Sequence, residues 1–168
     1  MVFKASMDKF TKIVTIVISI LFTGIVFFPF MFAGEKNYEL YSVLSFFLAS
    51  IYLFCYMMRP TNYEITNTKI IVKRMVSDVS LNLSDVKEIK QFKNVSFMFS
   101  FRLFGVGGLF GYFGKFWDKE YGTMTYYATK NGNAIMIITN ENKKIVITPD
   151  ECDAFLEHFL KMNKIVIN

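Results

Sequence analysis

The sequence predicts an α+β chain. A two-helix transmembrane hairpin comes first. A seven-stranded antiparallel β-barrel or sandwich follows, closed by a C-terminal α-helix and carrying a glycine- and aromatic-rich insertion between strands four and five. Three observations predict this plan. Two long uncharged runs precede residue 60, short strand signals crowd the chain after it, and apolar residues recur at helical spacing near the end. The 168 residues are enough for about one domain.

The first run, Ile13 to Gly34, and the second, Leu40 to Met58, contain no charged residue. About 20 apolar residues cover roughly 30 Å of hydrocarbon at 1.5 Å per residue, so each run suffices to span. Charges fence both: Lys9 and Lys12, then Glu35, Lys36 and Glu39, then Arg59. The first run exceeds the roughly 7–15 apolar residues of a signal-peptide core, and Met31 stands where a small residue would precede a cut after Ala33. An anchored hairpin is the expectation, with a kink or stop at Pro29. Small residues (Gly24, Ser42, Ser45, Ala49, Ser50) suit close helix approach.

Orientation follows from the cationic flanks. Lys4, Lys9 and Lys12 precede the hairpin, and Arg59, Lys69, Lys73 and Arg74 follow it, whereas the connector Glu35–Glu39 carries a single Lys. Both termini are therefore expected in the cytoplasm. The chain divides into a cytoplasmic tail (1–12), the hairpin (13–58, spans 13–34 and 40–58) and a cytoplasmic domain (59–168) of a multi-pass protein in the lipid bilayer. The apolar fraction is 53%, aromatics are 18% and the net charge is +5. The membrane-orientation bias accounts for that charge, so no nucleic-acid partner is expected. Cys55 and Cys152 lie in unlike settings with no metal spacing and read as separate buried thiols.

Arg59-Pro60 ends the second helix and begins extended chain. Tyr63–Thr66 and Lys69–Arg74 flank Asn67-Thr68 and read as a hairpin. Val79, Leu81 and Leu83 alternate with polar residues, and Val86–Phe92 continues as a fourth strand. Thr123–Thr129 and Ala134–Thr139 flank Asn131-Gly132, the strongest short-range hairpin signal, and Lys144–Ile147 is the seventh strand. In the last helix Thr148 is the expected cap, Pro149 the first residue, and Glu151 the partner in a capping box. Cys152, Phe155, Leu156, Phe159 and Leu160 form its apolar stripe.

Seven strands and a closing helix in about 100 residues follow the plan of a pleckstrin-homology (PH) fold. The segments YEITNTKIIVKR, VSLNLSDVKEI, GVGGLFGYFG and KKIVITPDECDAFLEHFL, placed behind the two spans, resemble those of bacterial PH-domain membrane proteins. The resemblance implies a PH-like domain at a bacterial cytoplasmic (inner) membrane. It supplies a fold more than an activity. Lys69, Lys73 and Arg74 are spread and do not form the dense cluster of a phosphoinositide site in the first hairpin.

The most distinctive segment is Val95 to Trp117, with nine aromatics, five glycines and two charges, Arg102 and Lys115. The uncharged twelve residues between those charges are too few to span and suit an interfacial or re-entrant segment. The alternative is that its rings pack on the β-domain or on the spans. Candidate apolar contacts are Phe104, Phe110, Phe113, Phe116 and Trp117, and candidate headgroup or acidic-partner contacts are Arg102 and Lys115. Gly105, Gly107, Gly108, Gly111 and Gly114 fit neither nucleotide fingerprint, since Phe110 holds the third Rossmann position and no Walker Lys-Ser/Thr follows. They suit tight turns or close backbone packing. Gly107 and Gly111 also form a GxxxG, which would mark helix packing if the segment were helical.

No catalytic, cofactor or metal site is expected. The single histidine, His158, lies off the apolar stripe and reads as solvated. Acids at the start of the last helix serve its dipole. Asp118 and Glu120 fall in a loop, and the spans hold no ionisable residue apart from thiol and phenol groups. The expected function is a non-enzymatic, membrane-anchored binding module that engages a membrane partner or lipid headgroups at the inner leaflet. The alternative is an accessory subunit of a transport or secretion complex, contacting it through the transmembrane hairpin. The expected partner is a membrane protein or, in a homo-oligomer, a second copy.

Overall fold

The structure, a computed structural model, describes residues 1–32, 38–97 and 100–166, with backbone alone at 28–30, 32, 94 and 163–166. Strand β1 (Val2–Lys4) is followed by helices α1 (Lys9–Phe32) and α2 (Tyr38–Met58). Strands β2 (Pro60–Ile65), β3 (Lys69–Arg74), β4 (Val79–Asn82) and β5 (Val86–Val95) come next. Then come β6 (Phe101–Gly107), β7 (Tyr112–Asp118), β8 (Gly122–Ala128), β9 (Gly132–Thr139), β10 (Lys144–Ile147) and the closing helix α3 (Cys152–Val166).

Helix α1 begins before the apolar run because Asp8 caps it. The Asp8 carboxylate accepts from Thr11 N–H at 2.7 Å, and its carbonyl accepts from Lys12 N–H at 3.0 Å. The helix continues through Pro29 to Phe32. Its 24 residues and the 21 of α2 give lengths of about 36 and 31 Å. Both helices are long and apolar enough to cross a membrane. Ile13, Ile16, Ile20, Val43, Phe46 and Phe54 point outward from the pair. Of the expected connector, residues 35–37, with Glu35 and Lys36, lie outside the described residues, and Tyr38 and Glu39 begin α2.

Ten strands among the described residues form two sheets, ordered β1-β2-β3-β4 and β5-β9-β10-β8-β7-β6. The sheets face each other without closing, which corrects the barrel half of the barrel-or-sandwich expectation. The strand count exceeds the predicted seven because the N-terminal segment and the glycine-aromatic block contribute three strands. Val2–Lys4, expected in a tail, pairs antiparallel with β2, and Ala5 N–H donates to Thr61 O at 3.2 Å. The block expected as an insertion is the β6–β7 hairpin.

The sheet is also not wholly antiparallel. Asn131-Gly132 joins β8 to β9, but β10 lies between them, parallel to β8 and antiparallel to β9. The hairpin that this dipeptide predicts needs left-handed backbone at both central residues. Gly132 has φ +107°, while Asn131 is not among the left-handed residues. Tertiary bonds engage Asn131 instead: its side chain accepts from Phe97 N–H at 2.9 Å and donates to Tyr112 Oη at 3.0 Å.

Tyr63, Ile65, Ile70 and Val72 from the first sheet meet Ile135, Ile137 and Ile147 from the second, and Phe155 and Phe159 of α3 seal the layer. The other face of the second sheet carries a core of Phe97, Tyr112, Phe116, Met124, Tyr126 and Met136. Thr148 does not cap α3. It is wholly buried, its hydroxyl accepting from Thr129 N–H at 2.9 Å, and the first helical bond runs from Phe155 N–H to Glu151 O at 3.0 Å. The apolar stripe of α3 is narrower than predicted, since Leu160 is 54% exposed.

Candidate functional site

The β6–β7 hairpin takes its shape from its glycines. Gly105 and Gly114 face each other across the strands, each at φ +123°. A Cβ on Gly105 would collide with the Phe113 carbonyl oxygen, and one on Gly114 with the Phe104 carbonyl oxygen. Only glycine tolerates such close backbone approach in that conformation. At the tip, Gly108 N–H donates to Gly111 O at 2.8 Å, leaving Leu109 and Phe110 at the apex. Gly107 ends a strand and Gly111 sits in the turn, so GxxxG here does not mark a helix.

Phe110 has φ +58°, a left-handed conformation that costs a non-glycine residue about 1–2 kcal/mol. Its surroundings account for the strain. The ring stands edge-on to Tyr52 at 5.3 Å and to Tyr56 at 5.2 Å, both on α2. The Phe110 backbone N–H donates to the Thr15 hydroxyl of α1 at 3.0 Å, and that hydroxyl reaches Gly108 O at 3.5 Å. Leu109, Phe110 and Phe113 form one apolar cluster with Cys55, flanked by Ile18 and Met58. The hairpin tip is thus docked on both helices.

Register separates the predicted contacts into three groups. Phe110 and Phe113 are buried against the helices. Phe116 is buried in the β core, stacked on Tyr126 at 4.4 Å. Phe104 and Trp117 remain exposed, at 79% and 40%, and are joined by Phe101 at 73% and Leu103 at 60%. Alternation along β7 puts Phe113, Lys115 and Trp117 on one face, opposite Val106, Phe104 and Phe101 of β6. The face that packs on the helices near the tip therefore continues as Phe104, Lys115, Phe101 and Trp117. A bulge at Leu103 interrupts β6, which is the open edge of its sheet.

Arg102 pairs with Phe116 across the strands and turns to the opposite face. There it lines a cleft of about 400 Å³ with Phe10 and Val14 of α1, Phe97, Ser100 and Tyr112. Neither Arg102 nor Lys115 has an ion pair among the described residues. The cations of the β2–β3 hairpin differ. Lys73 lies 2.7 Å from Asp78 and 3.8 Å from Glu64, which holds the Lys73 ammonium above its ordinary pKa, and Arg74 donates to Ser77 O.

Sequence reasoning missed the receiving surface on the helices. Thr11, Thr15, Ser19 and Thr23 recur every four residues along α1, and Tyr52 and Tyr56 do so on α2. Ser19 and Tyr52 share a hydrogen bond of 2.6 Å. A polar stripe along an otherwise apolar helix was the available signal. It also missed Asp8. Burial pushes that carboxyl up, but hydrogen bonds from Thr11 and from Asn131 outweigh the burial and hold it below its ordinary pKa.

Among the described residues, no three His, Cys, Asp or Glu side chains come together as metal ligands. The Asp118 carboxylate accepts from Glu120 and Tyr121 N–H, a turn role. His158, expected in solvent, is half-buried, its ring 6.4 Å from that of Phe3. Burial raises the pKa of the Cys152 thiol, as suits a core position. A model of the bacterial PH domain family matches residues 61–163. Comparison with curated proteins finds no match, and comparison with solved structures finds none either.

Proposed function

Because the chain belongs to the bacterial PH domain family, we propose that it is a non-enzymatic binding module anchored in the bacterial cytoplasmic membrane by α1 and α2. Both termini face the cytoplasm, and the domain at 59–168 engages a membrane partner or lipid headgroups at the inner leaflet. One observation carries this reading: the hairpin tip is docked on both apolar helices through Phe110. That contact ties the domain to the helix ends. The same hairpin face then offers Phe101, Phe104 and Trp117 with Lys115 beside them, a pairing of rings and cation that suits a headgroup layer.

The test replaces Phe101 and Phe104 with Ser, keeps Trp117 as the reporter, and leaves the buried Phe110, Phe113 and Phe116 intact. In nanodiscs, the tryptophan emission of the parent chain should shift to the blue and be quenched by brominated lipid. The Phe101→Ser/Phe104→Ser variant, which keeps Trp117, should lose most of that quenching while staying folded. No quenching in the parent chain would rule out a lipid-facing role, and equal quenching in the two proteins would remove Phe101 and Phe104 from the contact. A fusion reporter after Asn168 that works only outside the cytoplasm would overturn the orientation.

The second reading is an accessory subunit that contacts a transport or secretion complex through the helices. Its support is Gly24, which is exposed and has open space around it, while Ser45 is spent within the pair, donating to Val26 O at 3.2 Å. Exchanging α1 and α2 for an unrelated hairpin should preserve function under the first reading and abolish it under the second.

A further inference from the structure

A second site lies where the N-terminal segment, the start of α1 and the end of α2 converge. A cavity of about 300 Å³ opens there, lined by Ser6, Met7, Lys12, Arg59, Thr61 and Phe110 among others. Lys12 comes from α1 and Arg59 from the residue after α2, so two cations reach one space from two elements. No carboxylate lines it. Neither cation has an ion pair among the described residues. The Arg59 guanidinium stacks over the Tyr56 ring at 4.4 Å and donates from Nη2 to the Tyr56 hydroxyl at 3.5 Å, while its Nε is buried with no hydrogen-bond partner.

Cations at the cytoplasmic ends of spans are common, and orientation alone would explain their presence. It would not explain why two cations from separate elements share a cavity that no carboxylate lines. Two like charges that share one space repel each other, and an anion between them offsets that repulsion. We infer that this cavity binds a phosphate-bearing anion held between Lys12 and Arg59. The planar guanidinium fork matches phosphate oxygens, and the ammonium adds a point charge from the other side. A phospholipid headgroup and a free phosphate share this chemistry. The lipid source rests on the reading that α1 and α2 cross the membrane, which would put the cavity at headgroup depth. The free-anion source does not. Because Phe110 also lines the cavity, and Tyr56 contacts both Arg59 and Phe110, an occupied site would brace the docked hairpin.

The test uses the full chain in nanodiscs of phosphatidylcholine with and without phosphatidylglycerol, and in detergent with inorganic phosphate. Native mass spectrometry reads lipid retained per chain, and thermal unfolding reads stabilisation. Wild type should retain phosphatidylglycerol and unfold at higher temperature with it. Lys12→Gln and Arg59→Gln should each weaken retention about tenfold. Arg59→Lys should keep part of it, and Lys87→Gln on β5 should change nothing. Saturable stabilisation by inorganic phosphate that Lys12→Gln abolishes, without a lipid effect, would assign the site to a soluble anion. Equal retention by wild type, Lys12→Gln and Arg59→Gln, with no response to phosphate, would overturn the proposal. Release of wild type from membranes by carbonate wash would instead sink the membrane reading.

Discussion

The backbone N–H of Phe110 donates to the side-chain hydroxyl of Thr15 at 3.0 Å, across 95 residues of chain. This bond joins the tip of a β-hairpin to the side of an apolar helix, and the cluster around Phe110 closes over it. It is the polar centre of the contact between helices and domain.

Thr15→Val keeps the shape of the side chain and removes the acceptor. The Phe110 N–H would then be buried without a partner, a loss of about 1–3 kcal/mol. Hydrogen exchange should show faster exchange at the Phe110 amide, with β9 and β10 unchanged. Unaltered exchange at Phe110 would mean that water or another group satisfies the donor.

Phe110 combines favourable burial with an unfavourable backbone. Removing the ring should cost about 3–5 kcal/mol in Phe110→Ala. Phe110→Gly loses the same ring but relieves the left-handed strain at φ +58°, so it should be about 1 kcal/mol more stable than the Ala variant. Thermal unfolding of the two variants in one detergent checks the order. Ala more stable than Gly would show that the strain is not held in solution.

Asp8 and Asp150 both have carboxyls held below their ordinary value of 3.8. For Asp150, burial pushes upward, but the Lys130 ammonium at 2.8 Å and Ser6 outweigh it. A depressed folded pKa means that the unfolded chain binds the proton more readily. Each carboxylate therefore contributes stability that is present above about pH 4 and is lost as pH falls through the lower, folded value. Asp8→Asn should be less stable than wild type at neutral pH and should show a flatter fall between about pH 5 and pH 2. Parallel curves for the two proteins would remove Asp8 from the acid response.

The parts of the fold that depend on local pattern are legible along the chain. Uncharged runs of span length specify α1 and α2, alternation specifies β2 to β5, and helical spacing specifies α3, because each is a relation among near neighbours along the chain. The glycine-aromatic block was visible as unusual, and its glycines as turn or close-packing residues, but not as two strands. Three bulky rings in one segment look alike in sequence. Register sends Phe116 into the core and Phe113 and Trp117 to the other face, where Phe113, close to the docked tip, packs on the helices and Trp117, farther along the strand, stays exposed. Tertiary structure also decided that Val2–Lys4 completes a sheet and that β10 separates β8 from β9. Both results rest on pairings between distant segments. Thr148 and Asn131 show the reason most directly: each carries a strong local signal, for a helix cap and a hairpin turn, and each gives its hydrogen bonds to a remote partner instead. A buried tertiary bond outweighs a capping or turn preference of similar size when forgoing it would strand a donor inside the core.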